Sequence, residues 1–299
     1  ARPLLHKRYH TPKGTLSTTV ALSDDWPHGN HIPFIDDYQI PRAVKPLITK
    51  PEDLEVLAHL LQPPSDAEIA AFRDEAERAR AFADAHGVLL AGGWGVGMDM
   101  ANWLCGMQDL MVLTIQQPDF VDDLLGLIHR WTMARMAVVL SAPVDLFLRR
   151  AWYEGCDFVT PGFYRRSVLP RLKTEVELAH AHDARFGYIC TSGMAPMLDS
   201  YLEAGFDVLV GVDPEQGTHT DMARIAEALA GEICVWGGVS GAITVEMGTP
   251  AEVRAAVHKA VRIFGREGFI LSPVDNLTVD APRTWQNLEV FRDAWCEVR

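Results

Sequence analysis

The stretch "FDVLVGVDPEQGTHTDMARIAEALAGEICVWGGVS", residues 206–240, decides the fold. It opens on the short apolar run FDVLVGV (206–212) and closes on a second, EICVWGGV (232–239). Both runs are nearly continuous in Val, Leu, Ile and Trp, as in strands buried on both faces. Between them HTDMARIAEALAG places apolar residues at helical spacing with charges on the other side. A strand, a helix and a strand in close succession form a βαβ crossover, which pairs its two strands in parallel.

The same alternation extends outward in both directions. GVLLAGG (87–93), PVDLFLRR (143–150), ARFGYIC (184–190) and GFILSPV (268–274) read as further buried strands. FVDDLLGLIHRWTMARMAVVL, YRRSVLPRLKTEVELAHAHD, MLDSYLEA and TPAEVRAAVHKAVRIFGREG read as amphipathic helices. Thr249-Pro250 followed by Glu252 is a helix start, with Gly265 or Gly268 as its stop. Near the other end, Ser65 or Asp66 in QPPSD is placed to cap AEIAAFRDEAERARAFADAHG. With TLSTTVAL (15–22) as an earlier strand, the pattern predicts α/β architecture: a single (β/α)8 TIM barrel with an incomplete or elaborated N-terminal segment. On this reading 1–299 is one domain, with a lead-in over 1–60 and the main βα repeats over 61–299. A doubly wound sheet is the alternative.

Bulk properties narrow the function. A hydrophobic content of 48% supports a large core, and a net charge of −13 disfavours nucleic acid and anionic lipid. No apolar run long enough to span a membrane and no signal-peptide h-region occur, and the chain starts at Ala1 rather than Met. The five cysteines (105, 156, 190, 234 and 296) are scattered and form no CxxC pair, so a reducing cytoplasm is the expected compartment.

In a barrel, chemistry sits at the C-terminal ends of the strands. Those ends carry Trp94; Trp152, Tyr153, Glu154 and Asp157; Thr191 and Ser192; Asp213, Glu215 and Gln216; Ser240; and Asp275 with Asn276. The densest cluster is RRAWYEGCD (149–157). Its two arginines, Arg149 and Arg150, suit carboxylate clamping, and Tyr153 and Glu154 suit proton transfer. The plainer reading of the arginines, an internal ion pair with Glu154 bracing a loop, stands beside it. The candidate catalytic residues are Tyr153, Glu154, Asp213 and Asp275. The candidate substrate contacts are Trp94, Arg149, Arg150, Trp152, Tyr188, Ser192, Gln216, Trp236 and Asn276.

Other motifs are weaker. GGWGVG (92–97) lacks GxGxxG spacing and a Walker lysine, and MDMANW does not read as a helix entry behind it. His28, His31, Asp36 and Asp37 lie in a Pro- and Gly-containing loop, where bracing is the expected role. His180 and His182 point apart on a helix, so they do not share a metal.

With these motifs placed, FGYICTSGMAPMLDSYLEAGFDVLVGVDP, VWGGVSGAITVEMGTPAEVRAAVHKAV and GFILSPVDNLTVDAPRTWQNLEVF resemble the uroporphyrinogen decarboxylase superfamily, which includes cobalamin-linked methyltransferases. VKPLITKPEDLEVL (44–57) is similar to that family's lead-in, and Ala281-Pro282 to Asn287 to its closing helix start. The resemblance is strongest over 184–295. The methyltransferase branch binds zinc through His-x-Cys and a second Cys. Cys190 matches the first Cys, while Tyr188 stands at the His position and Asp275 at the second Cys. A rebuilt site of Cys190, Glu154 and Asp275 is the metal set this implies; a metal-free Cys190 is a small buried hydrophobe. The decarboxylase branch needs no cofactor, but its N-terminal arginine signature is absent here.

Three readings follow. The first is methyl transfer from a small methylated, aromatic substrate to a corrinoid protein, with Glu154 or Tyr153 protonating the leaving atom and Asp275 and Asn276 orienting the substrate. The second is a metal-free decarboxylase, with Arg149 and Arg150 on the carboxylate and Tyr153 or Asp213 as proton source. The third is a non-catalytic ligand-binding barrel. A homodimer is compatible with all three.

Overall fold

The computed structural model describes residues 2–299. The chain packs as two compact units: 1–87 with 95–142, and 88–94 with 143–299. Among the described residues no helix is long and apolar enough to cross a membrane.

In the first unit, β1 (Leu4–Thr11) and β2 (Gly14–Ala21) form an antiparallel hairpin, and β3 (Ala43–Lys45) pairs with β2. The expected barrel strand at 15–22 is therefore corrected: it is the second arm of a hairpin. The physical reason is local. Thr11-Pro12-Lys13-Gly14 leaves only Pro12 and Lys13 between the arms, a connection too short for a parallel crossover. Helices Asp53–Leu60, Asp66–His86, Met98–Cys105, Met107–Gln116 and Pro118–Leu140 complete this unit. Ser65 caps its helix in a reciprocal box with Glu68, as the sequence predicts. Contrary to the sequence reading, a helix does begin at Met98, directly after GGWGVG.

The second sheet runs β4 (Ala91–Gly95), β5 (Leu146–Arg150), β6 (Arg185–Ile189), β7 (Val208–Val212), β8 (Cys234–Ser240) and β9 (Phe269–Val274). The strands lie side by side in chain order, and every pairing from β5 to β9 is parallel. Successive parallel crossovers that never reverse direction are the winding of a (β/α) barrel; a doubly wound sheet reverses at a switch point. Six strands, rather than eight, make up this sheet among the described residues, and it is not closed.

Helices between the strands bury one face each. Pro250–Phe264 starts with the Thr249–Glu252 capping box and turns Val253, Val257 and Ala260 to the core, where Val239, Val245 and Ala294 meet them. Before Leu169–His180 the helix widens into a π turn, Tyr164–Val168. Pro170 follows at once and has no N–H for an ordinary i→i−4 bond, so the wider turn sits where the regular ladder is already interrupted.

Asp221 accepts from the amides of Ala223 (3.0 Å) and Arg224 (3.2 Å), which starts the helix Met222–Leu229. Asp221→Ala should lower unfolding free energy by about 1 kcal/mol, read as a lower urea midpoint at unchanged slope.

Candidate active site

Successive residues of a strand point to opposite faces of the sheet. Arg149 and Arg150 are adjacent at the end of β5, so they part company. The register aligns Arg149 with Tyr188, Leu209, Val235 and Phe269, and Arg150 with Ile189, Val210, Trp236 and Ile270. The first row faces the helices: Phe269 stacks on Phe264 at 4.8 Å and packs on the Val257 and Ala260 cluster. The second row is on the face turned away from them, where Ile270 is 38% exposed and Val210 and Trp236 are half-buried.

On the helix side, Arg149 is spent on two carboxylates. Its Nη1 and Nη2 donate to Glu154 Oε2 and Oε1 at 2.6 and 2.9 Å. Its Nε lies 2.6 Å from Glu175 Oε2 on Leu169–His180, a charge contact too bent to count as a hydrogen bond. Tyr188 donates its hydroxyl to Glu154 Oε2 at 2.6 Å. All four side chains are essentially inaccessible. Burial by itself would lower the Arg149 pKa, but the charges of Glu154 and Glu175 hold it well above its ordinary value. Burial, then the Glu154 charge, pushes Tyr188 up; burial likewise raises Tyr164 and Tyr201. Tyr201 reaches the Cys190 sulfur at 3.5 Å, and the Cys190 thiol donates to the Ser192 carbonyl at 3.3 Å.

Arg149, Glu154 and Tyr188 therefore lie in a closed network behind the sheet. The bracing interpretation of Arg149 and Glu154 describes this geometry, and the carboxylate-clamp interpretation of the two arginines together does not. The partners Glu175, Tyr164 and Tyr201 were missed from the sequence. Glu175 did leave a signal: it lies on the buried stripe of its helix with Leu172, Val176 and Ala179.

On the other face, the Arg150 guanidinium lies 3.9 Å from the Trp152 ring centroid and 5.7 Å from that of Trp94. These contacts bring together three of the expected substrate contacts, Arg150, Trp94 and Trp152, while Trp236 lies farther along the same row, on β8. Tyr153 is half-buried, with its ring edge-on to Phe158 at 5.2 Å. The loops after β5, β6 and β7 are laced together: Cys156 N donates to Gly193 O, Gly193 N to Thr218 O, and Thr218 N and hydroxyl to Asp157. Burial would raise Asp157, but hydrogen bonds from Thr218 and Ser192 bring it below its ordinary value. Ser192 is thus a loop tie.

Asp213 is fully buried after β7, and its Oδ1 accepts from the amides of Glu215 (2.8 Å) and Gln216 (3.0 Å), which is where Gln216 enters. Asp275 and Asn276 are exposed after β9, with Asp275 at φ 65 and the Asn276 amide on its Oδ1. Glu246 holds the same loop by accepting from the amides of Thr278 and Val279.

The rebuilt metal set does not assemble. Glu154 is committed to Arg149 and Tyr188, Cys190 to Ser192 and Tyr201, and Asp275 to its own loop. Among the described residues no three His, Cys, Asp or Glu side chains converge on one point. His28 pairs with Asp36 at 3.3 Å, and His180 and His182 have separate partners. A cavity of about 980 Å³, lined in part by Leu229, Ile233, Cys234 and Phe264, opens at the N-terminal ends of the strands, the end that serves stability in barrels.

Two measurements check these environments. Burial, then the Asp109 and Asp53 charges, pushes the Cys105 thiol up to about 12, so at pH 8 a thiol reagent should label exposed Cys296 first and Cys105 only after unfolding. Burial would raise Asp207, but hydrogen bonds from His180, the Phe186 amide and Arg185 bring it below its ordinary value. Its stabilisation is present above the unfolded carboxylate pKa of about 3.9 and is lost as pH falls through the lower folded value. Asp207→Asn should therefore flatten the acid limb of the stability–pH curve below about pH 4.

Comparison with known proteins agrees with this architecture. No protein-family model and no curated sequence matches the chain. Among solved structures, a methyltransferase from Methanosarcina mazei superposes with a TM-score of 0.59 at 16% identity, covering 97% of this chain and 75% of that one. A B12-independent methionine synthase from Shewanella sp. W3-18-1, in complex with selenomethionine, gives 0.50 at 12% identity and covers 75% of this chain and 65% of that one. The chain thus has the barrel-type fold that these enzymes use.

Proposed function

We propose that the protein is a methyl-transfer enzyme, moving a methyl group from a small methylated substrate to a corrinoid carried by a partner protein. The observation that carries this reading is the sheet face opposite the one that packs on the helix Pro250–Phe264. An apolar row of Ile189, Val210, Trp236 and Ile270 runs on from Arg150, whose guanidinium lies against the indole rings of Trp94 and Trp152. Such a face suits a compact apolar or aromatic body. The likeness in fold to a methyltransferase supports the reaction class.

In this reading Trp94, Trp152 and Trp236 hold the substrate and exclude water, and Arg150 fixes its polar end. The corrinoid cobalt, when the partner docks, supplies the methyl-accepting centre. Glu154 is enclosed with Arg149, which leaves Tyr153 as the proton donor to the demethylated oxygen or nitrogen. No step passes through zinc, because Cys190, Glu154 and Asp275 do not form a ligand set. Decarboxylation of a polycarboxylate is less well supported, since Arg149 turns its charge to Glu154 and Glu175 and away from the face that would meet substrate.

Incubation with a corrinoid protein and a panel of methoxylated and N-methylated compounds tests the proposal. Methyl-cobalt absorbance should appear with one class, and Trp236→Ala should raise KM more than it lowers kcat. Release of carbon dioxide from a carboxylic acid, with no methyl-cobalt signal from any compound, would point to the decarboxylase.

A further inference from the structure

The register of β7 contains one extra residue. Val210 aligns with Trp236, but Val212 aligns with the next residue of β8, Gly237, so Gly211 is a bulge. Gly211 has φ 103, and a Cβ there would come within 2.9 Å of the Cys190 carbonyl oxygen, so glycine suits this bulge. The bulge shifts the alternation by one. Val212 joins the row of Gly237 and Leu271, and Leu271 packs against the helix-side cluster. Alternation continued past the end of β7 at Val212 turns Asp213 toward the face of Trp236 and Arg150, whereas without the extra residue it would turn that side chain among the helices.

Asp213 arrives there as a buried charge with half of its capacity used. Oδ1 takes two amides of its own loop, while Oδ2 is buried and has no hydrogen-bond partner. Among the described residues no ion pair involves this carboxylate. Arg150 is two strands away, roughly 10 Å at ordinary strand spacing, with its guanidinium against the indoles. Leaving a buried carboxylate oxygen unsatisfied is costly, and a cationic donor offsets that cost better than a neutral one. The loop is already fixed by its own amides and by the Thr218 ties, so the oxygen is held in place before any ligand arrives.

We infer that Asp213 Oδ2 is the anchor for a protonated amine, so that the methylated substrate is an N-methylated ammonium ion that retains an N–H. This rests on the methyl-transfer reading for the reaction but not for the binding. The N–H donates to Oδ2, and the methyl groups lie toward the Trp236 face, where a cation over an indole is favoured. A fully substituted ammonium has the same charge and methyl groups but no N–H to give.

Calorimetric titration of the whole protein with dimethylammonium and with tetramethylammonium chloride, without any acceptor, tests this. The wild type should bind dimethylammonium roughly tenfold or more tightly than tetramethylammonium. Asp213→Asn keeps an oxygen for the Glu215 and Gln216 amides and should melt near the wild-type temperature. It should lose the preference through weaker dimethylammonium binding. Equal binding of the two ions by the wild type would overturn the inference, as would an unchanged preference in Asp213→Asn. So would no ammonium binding at all, which would leave Oδ2 a site for buried water. A protein that methylates corrinoid from methoxylated compounds yet ignores both ions would retain the proposed function and lose this inference.

Discussion

The two-residue period of a β-strand governs the second unit. It sets Arg149 against the helices and Arg150 on the opposite face, although the two are neighbours in the chain. Every later feature of the unit depends on that division. Behind the sheet, a guanidinium between two carboxylates and a tyrosine ties β5 to the helix Leu169–His180. In front of it, a row runs from buried Arg150 and Ile189 through half-buried Val210 and Trp236 to exposed Ile270. The buried side buys order at a desolvation cost that is recovered only while both partners are present.

The register shifts once within β7, where one added residue at Gly211 separates Val210, opposite Trp236, from Val212, opposite Gly237. On the proposed reading, that shift turns Asp213 toward the face of Trp236. The loops that follow β5, β6 and β7 are then fastened to one another by backbone bonds and by Asp157. The face is therefore presented on strands and tied loops, the kind of support that keeps a binding constellation in place.

The six strands of the parallel sheet and the helices between them were legible in the sequence, because continuous apolar runs and amphipathic periods are local signals. TLSTTVAL misled for the same reason: its composition is that of a strand, and only the tight Thr11–Gly14 turn reveals an antiparallel partner. The site was legible as a set of strand ends but not as two faces. RRAWYEGCD displays its charges together, yet which arginine meets Glu154 depends on Glu175 and Tyr188, which lie far along the chain. Gly211 was readable as part of a strand, but its extra place in the register appears only when β8 is laid beside β7. Cys190, a metal-ligand position by the family resemblance, is closed off by Tyr201 and the Ser192 carbonyl.

The most direct measurement is a double-mutant cycle between Arg149→Met and Glu175→Gln, followed by urea unfolding. If Arg149 is turned to the helix side, the two substitutions are strongly coupled, with an interaction energy of about 2 kcal/mol or more. Additive effects, coupled by less than about 0.5 kcal/mol, would contradict the division of the two arginines between opposite faces.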